Sequence, residues 1–200
     1  MTAILSTYYR WSAYLGHADG LLPLIARAIF AAVFLAYFWV SGLTKLGDGI
    51  FGLFSPSAGA YAQIFPRAME AAGYDPSQLS LFHTLIVLAG TWAEFILPAL
   101  IVIGLLTRLA ALGMIGFVVV QTLTDLYGHG AISEPATVGA WFDKVPDALI
   151  LDQRALWVFL LLVPMVKGAG ALSVDRLLIK NAPLAHPVSP PQAPKGHQPR

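Results

Sequence analysis

The chain has 200 residues, of which 57% are hydrophobic and only 12% are charged. Soluble domains carry about 25% charged residues, so this composition excludes a soluble globular protein and predicts that the lipid bilayer is the main partner. The net charge of +1 gives no strong positive field, which excludes nucleic acid as a partner. Because there is no cysteine, the chain itself cannot perform thiol chemistry or hold a cysteine-ligated iron–sulfur cluster.

The N-terminal residues 1–20 are rich in aromatic side chains and contain one basic residue, Arg10. This segment lacks the charged start and the cleavage site of a secretory signal peptide. Tyrosine and tryptophan concentrate in the headgroup region of a bilayer, so we predict an N-terminal interfacial segment.

Four apolar runs are each long enough to cross a hydrocarbon core, which takes about 20 helical residues. They cover approximately residues 22–46, 79–106, 108–127 and 152–170. The four runs predict an all-α protein, an integral membrane four-helix bundle whose membrane domain covers residues 21–180.

Shorter elements are predicted outside these four spans. An amphipathic stretch from Ala58 to Ala72 predicts a short surface helix between the first two spans. Ser173 and Asp175 supply an N-cap and a first-turn carboxylate for a short helix that ends near Lys180. Residues 181–200 are rich in proline and lack apolar periodicity, so we predict a disordered tail.

Basic residues are distributed unevenly between the two sides of the predicted bundle. If both termini are cytoplasmic, most arginines and lysines lie on the cytoplasmic side, whereas the outer loops are mainly acidic. The positive-inside rule therefore predicts a multi-pass protein with both termini in the cytoplasm.

Glu94 lies at the middle of the second predicted span, and Pro98 follows it by one helical turn. Proline lacks an N–H and its ring clashes with the carbonyl four residues earlier, so this pair predicts a helix that opens at Glu94. A carboxyl group near the bilayer centre costs at least about 2.5 kcal/mol on insertion scales and is usually paired or functional. Glu94 is therefore a candidate catalytic residue. The alternative is a neutral glutamic acid whose hydrogen bonds hold helices together.

Other polar residues are predicted to lie one below another inside the bundle, from the outer surface down to Glu94, and we call them the polar track. Asp125, the second catalytic candidate, lies one helical turn beyond Gln121 on the same face of the third span. Arg154 begins the fourth span at nearly the same depth and is the expected partner of Asp125. The candidate residues of a substrate or quinone pocket are Thr91, Gln121, Arg154, His83 and Arg27. The alternative is that the track only holds the bundle together, with Asp125 and Arg154 forming an ion pair at its rim.

The spans contain further charged and aromatic residues. We expect Lys45 to close the first span at the outer surface, and Arg27 to snorkel toward the cytoplasmic headgroups in preference to bending toward Glu94. Phe38, Trp39 and Trp92 are aromatic candidates for the pocket wall, with lipid contact or helix packing as the alternative. The histidines lack the spacing of a metal site, so we predict no metal ligands.

Several short motifs in a fixed order carry a resemblance to a known family. They are Arg27, Ser41-Gly42-Leu43 with Lys45, Glu94 with Gly104-Leu105-Leu106-Thr107-Arg108, and Lys167-Gly168-Ala169-Gly170 with Ser173 and Asp175. Over about residues 20–180 the chain resembles the DoxX family of small bacterial membrane proteins. This resemblance implies a four-helix protein of the bacterial inner (plasma) membrane. It also implies relatives linked to quinone-dependent thiosulfate oxidation or to membrane oxidoreductase complexes that handle oxidative and thiol stress.

These observations lead to three hypotheses of function. The first is a component of a quinone-linked membrane oxidoreductase system, in which quinone enters among the spans and a partner redox protein exchanges electrons with it. The second is a non-catalytic membrane anchor or scaffold for a partner protein. The third is a small-solute transporter, for which four short helices offer little machinery unless the chain forms a homo-oligomer.

Overall fold

The computed structural model describes residues 2–16 and 20–181. Within these ranges the chain forms nine α-helical elements, numbered here in chain order. They are α1 (Thr2–Gly16), α2 (Leu21–Leu43), α3 (Ala58–Ile64), α4 (Pro66–Ala71), α5 (Leu81–Ile103), α6 (Thr107–Gly128), α7 (Pro135–Val138), α8 (Leu149–Lys167) and α9 (Val174–Asn181). The predicted disordered tail lies outside the described residues, apart from Asn181 at the end of α9.

Four of the described helices, α2, α5, α6 and α8, are long and apolar enough to cross a membrane. Helix α2 packs against α5 and α8, and α6 also packs against α5 and α8, so the four form a closed bundle in which α2 lies opposite α6. The predicted all-α membrane bundle is thus confirmed, with helix ends that differ from the predicted spans by a few residues. The division into residues 1–20, 21–180 and 181–200 stays a prediction.

The core of the bundle is built from α2. Phe30, Phe34 and Phe38 are buried one turn apart and pack against residues of the other three long helices, Ile101, Ala110, Met114 and Leu161. This spacing of four residues places the three rings along one face of α2, which turns inward. Phe38 therefore belongs to the packed core, not to a pocket wall.

The loop between α2 and α5 folds back onto the bundle. Ser57 caps α3 by accepting a hydrogen bond from the Ala60 N–H, as expected for serine at an N-cap. Tyr61 and Met69 pack against Val87 of α5, and the Tyr61 hydroxyl donates to Thr84 Oγ1 at 3.1 Å. The predicted surface helix over Ala58–Ala72 is thus present as two short helices. They cover one end of the bundle, which we call the Lys45 end.

The opposite end, called the Arg27 end, is held by Arg27, which is only 5% exposed. Its guanidinium donates to the carbonyl oxygens of Ile101, Val102, Ala169 and Leu172 at 2.6–2.8 Å. These carbonyls belong to the end of α5 and to the segment after α8, where helix ends leave carbonyl groups without intrahelical donors. Arg27 thus extends toward this end and not toward Glu94, as expected, but the expected headgroup partner is wrong, because its guanidinium donates four hydrogen bonds to carbonyl oxygens of the protein.

Two further contacts fix the same end. Gly104 adopts φ +72°, and a Cβ there would lie 2.7 Å from Arg27 Nη2, so both the backbone and the guanidinium require glycine. Asp175 accepts from the N–H groups of Leu106 and Thr107 at 2.8 and 3.0 Å, which caps α6. Partial burial raises the pKa of Asp175, but these hydrogen bonds and the nearby Arg27 charge outweigh it and leave the pKa below its usual value.

The predicted opening of the second span at Glu94 is not observed. Helix α5 continues through Pro98 from Leu81 to Ile103. Pro98 still cannot donate to the Glu94 carbonyl, so one hydrogen bond is missing while the helical path is kept. Wider π-type turns occur instead in α2 at Ala31–Leu35, in α6 at Thr124–Gly128 and in α8 at Leu149–Gln153.

Arg27→Lys should lower the free energy of unfolding by about 3 kcal/mol or more, because lysine cannot reach four separated carbonyls and each charged hydrogen bond contributes roughly 1.5–3 kcal/mol. Unfolding in mixed detergent micelles, followed by circular dichroism, measures the change. Arg108→Lys is the matched control, since Arg108 is exposed near the same end. Equal stability of the two variants would contradict the role given to Arg27.

Candidate functional site

A buried ion pair joins the end of α2 to the middle of α5. Lys45 Nζ lies 3.0 Å from both carboxylate oxygens of Glu94. Lys45 also donates to Ser41 Oγ at 2.8 Å, and the Ser41 hydroxyl donates to Glu94 Oε1 at 3.1 Å. Lys45 and Glu94 are 5% and 4% exposed, so both charges are shielded from solvent and lipid.

The sequence analysis expected Lys45 at the outer surface, and this expectation is wrong because the side chain is buried. It follows α2 by two residues, but its long flexible side chain turns back along the helix and also donates to the Ser41 carbonyl at 3.2 Å. Glu94 lies two residues past the midpoint of α5, which is about 3 Å from the middle of the helix. The reach of lysine thus allows a residue outside the span to neutralise a carboxylate near the membrane centre.

A second ion pair joins α6 to α8. Arg154 Nη2 donates to Asp125 Oδ2, which confirms the predicted partnership. Asp125 lies within the π-type turn that ends α6, and Arg154 directly follows the π-type turn that begins α8. Such turns frequently occur at functional sites because the extra residue redirects neighbouring side chains.

Both ion pairs line a cavity of about 620 Å³ in the half of the bundle toward the Lys45 end. The cavity lies mainly between α5 and α6 and is covered by Gln63 and Ile64 of α3. Four of the predicted site residues line it: Glu94, Asp125, Gln121 and Arg154. Lys45, which the sequence placed at the outer end of the polar track, also lines the cavity. The sequence did not indicate four other polar residues of the wall, namely Tyr37, Ser41, Gln63 and Thr124. The wall also contains His129, whose Nε2 lies 3.0 Å from the Gln63 carbonyl oxygen.

Three predicted site residues lie outside this wall. The Thr91 hydroxyl donates to the Val87 carbonyl of its own helix, and His83 Nδ1 is hydrogen bonded to Ser80 Oγ at 2.8 Å. Arg27 is at the other end of the bundle. The aromatic candidates Trp39 and Trp92 also lie elsewhere and donate to backbone carbonyls.

The rest of the cavity wall is apolar and partly formed by small residues. Ala89 of α5 and Gly113 and Gly116 of α6 line the cavity and are also exposed on the side of the bundle. The cavity therefore opens laterally between α5 and α6, within the two helices that are long and apolar enough to cross a membrane. A Cβ at Gly116 would meet no atom within 4 Å, which shows how much open space this position faces.

The chemistry of the wall combines paired charges with polar groups that lack partners. Each positive charge has its own carboxylate, so the two ion pairs add no net charge. Within the described part of the chain, no acceptor lies within hydrogen-bond distance of Arg154 Nε or Nη1, and Gln121 Oε1 also has no partner. The described residues contain no group of three or more His, Cys, Asp or Glu side chains placed to hold a metal ion.

The fold and this cavity together define a four-span integral membrane protein with a polar site that is open to the bilayer. Residues 22–125, more than half of the chain, match the family model described as DoxX. The chain belongs to the DoxX family, which confirms the resemblance seen in its sequence motifs. Comparisons with curated proteins and with solved structures gave no significant match.

The Lys45–Glu94 pair should show strong energetic coupling. Glu94→Gln leaves a buried ammonium without its counter-charge and should cost about 3–5 kcal/mol of unfolding free energy, and Lys45→Met should also destabilise the fold. The double variant should recover at least about 2 kcal/mol of the summed loss, because no unpaired charge remains. Detergent unfolding of the four proteins measures this cycle. Additive losses would show that the two side chains do not depend on each other.

Proposed function

We propose that this protein is the quinone-binding membrane component of an oxidoreductase system, in which a partner redox protein supplies or removes the electrons. The observation that carries this proposal is the cavity of about 620 Å³, whose wall combines apolar residues with two ion pairs and a few neutral polar side chains. Sites for small molecules commonly measure about 300–1,000 Å³ and combine apolar walls with a few polar groups that set orientation.

The lateral opening favours a ligand that is dissolved in the membrane. A lipophilic ring can pass from the hydrocarbon core between α5 and α6 without crossing water. Leu97 and Phe117 supply apolar surface for the ring, and Arg154 supplies donors for a carbonyl oxygen. A quinone combines these two requirements, since it has an apolar tail and a ring that carries only hydrogen-bond acceptors.

The acidic residues of the wall suit the protons of quinone chemistry. Conversion of a quinone to a quinol takes up two electrons and two protons, and the reverse reaction releases them. Glu94 and Asp125 lie at the cavity, where they can hold and pass these protons while Lys45 and Arg154 balance their charges. The chain has no cysteine, so we assign the electron exchange to the partner redox protein.

The other two hypotheses have less support. A pure anchor or scaffold needs no cavity, and leaving a buried arginine with unmet donors would only destabilise it. A small-solute transporter needs access from both sides of the membrane. Neither Arg27 nor the carbonyl groups that it binds line the cavity, so the Arg27 end offers no second entrance in the part of the chain described here.

We further propose that the protein lies in the bacterial inner membrane with both termini in the cytoplasm and the Lys45 end outside. The distribution of basic residues supports this orientation. Because the chain has no cysteine, single introduced cysteines can be used to determine the orientation by labelling. A membrane-impermeant maleimide should label Asp143→Cys in spheroplasts with an intact inner membrane, and Arg176→Cys only after permeabilisation. The reverse labelling pattern would contradict the proposed orientation and would place the Lys45 end in the cytoplasm.

Gly116→Leu should fill the cavity and weaken the binding of a decyl-substituted benzoquinone at least about tenfold, a loss of roughly 1.4 kcal/mol. The substitution should not destabilise the fold, because the new side chain enters open space. Glycine in a helix also lowers stability by about 0.5–1 kcal/mol relative to alanine, and this cost is removed. Titration calorimetry of purified protein in lipid nanodiscs measures the affinity. Gly59→Leu is the control, since Gly59 is exposed on α3 and does not line the cavity. Unchanged quinone binding in Gly116→Leu would show that the cavity is not the quinone site.

A further inference from the structure

Arg154 is the charged side chain of the cavity wall that has hydrogen-bond donors without an acceptor among the described residues. It is 4% exposed, and one of its nitrogens, Nη2, donates to Asp125. Nε and Nη1 have no acceptor among the described residues. A buried donor without an acceptor costs about 1–3 kcal/mol, and more when the donor is charged. An additional acceptor beside Nε and Nη1 is therefore strongly favoured.

The neighbouring protein groups do not supply that acceptor. On its other side, Arg154 borders an apolar groove of about 420 Å³ between α6 and α8. The hydroxyl of that groove belongs to Thr122, which donates to the Val118 carbonyl oxygen and is not within hydrogen-bond distance of Arg154 Nε or Nη1. Lys45, Ser41 and Glu94 satisfy one another in the main cavity. Gln121 Oε1 is an unpaired acceptor of the same cavity, but no hydrogen bond joins it to Arg154. A ligand in the cavity can therefore supply the acceptor for Arg154.

Charge balance indicates what kind of acceptor fits. The guanidinium is already neutralised by Asp125, and Lys45 is neutralised by Glu94. An anionic ligand would bring an uncompensated charge into a low-dielectric site, which is unfavourable. A neutral carbonyl oxygen provides the lone pairs that the open N–H groups need and leaves the charge of the cavity unchanged.

The two ion pairs also stand at different depths. Arg154 lies four residues before the midpoint of α8, which is about 6 Å toward the Lys45 end. Glu94 lies on the other side of the midplane of its helix, so the two positions differ by about 9 Å along the bundle. A ring with one oxygen on Arg154 can thus extend along the cavity toward the Lys45–Glu94 pair.

We infer that Arg154 is the specificity-determining anchor of the cavity: through Nε and Nη1 it binds a carbonyl oxygen of a neutral membrane-dissolved ring and directs the rest of the ring toward the Lys45–Glu94 pair. This inference rests on the proposed quinone function and deepens it, because it names the residue that recognises the ring oxygen. It also excludes fatty acids and other lipid anions as the preferred ligands.

The test compares ligands that have saturated tails of nearly equal length and differ in the head group. Wild-type protein and Arg154→Lys are titrated with decyl-benzoquinone, decylbenzene and decanoate in nanodiscs, with Gly116→Leu giving the baseline for non-specific partitioning. Lysine keeps a charge for Asp125 but does not place donors where Nε and Nη1 point. We expect decyl-benzoquinone to bind Arg154→Lys about tenfold more weakly and decylbenzene to bind both proteins equally. Arg108→Lys should bind all three ligands as the wild type does.

Each other result has a defined meaning. Equal losses for decyl-benzoquinone and decylbenzene, or no loss for either, would overturn Arg154 as the anchor while leaving the quinone site in place. Tighter binding of decanoate than of decyl-benzoquinone to the wild type would overturn the choice of a neutral ring. No binding of decyl-benzoquinone above the Gly116→Leu baseline would overturn the proposed function itself. If Arg154→Lys does not fold, Asp125→Asn with Arg154→Gln replaces it, because this pair keeps a hydrogen bond and neutrality without the guanidinium.

Discussion

A full charge inside the hydrocarbon region must be neutralised and hydrogen bonded, because no water is available to solvate it. The Lys45–Glu94 pair meets this constraint across two helices, and Asp125 neutralises the charge of Arg154 across two others. Since each pair joins segments that are distant in the sequence, neutralising the charges also fixes which helices are neighbours. The ion pairs therefore determine the shape of the cavity as well as its chemistry.

The two ends of the bundle use charge in different ways. At the Arg27 end, one guanidinium binds four carbonyl groups and Asp175 caps α6, so both of these charged side chains are hydrogen bonded to the protein. At the Lys45 end, the polar groups surround open space and two nitrogens of Arg154 have no protein acceptor. A tightly satisfied end can hold the helices in place while the other end keeps room for a ligand. This division supports a binding function better than a purely structural one.

The sequence predicted those features that depend on local pattern. Four apolar runs gave the spans, and equal depth on adjacent helices gave the Asp125–Arg154 pair. Arg27 and Lys45 were placed wrongly for a common physical reason. Their long side chains reach groups on other helices, and only the fold shows which group is within reach. The lateral opening at Gly113 and Gly116 was also missed, because small residues mark open space only once the facing helix is known.

The central claim is that a membrane-dissolved ring occupies the space between α5 and α6 beside the two ion pairs. Photolabelling with an azido-substituted decyl-benzoquinone in native membranes, followed by peptide mass spectrometry, tests it most directly. The account predicts labels within residues 86–97 and 113–125, suppressed by excess decyl-benzoquinone and lost in Gly116→Leu. Labels spread over the outward faces of all four long helices, unaffected by competitor or by Gly116→Leu, would contradict it.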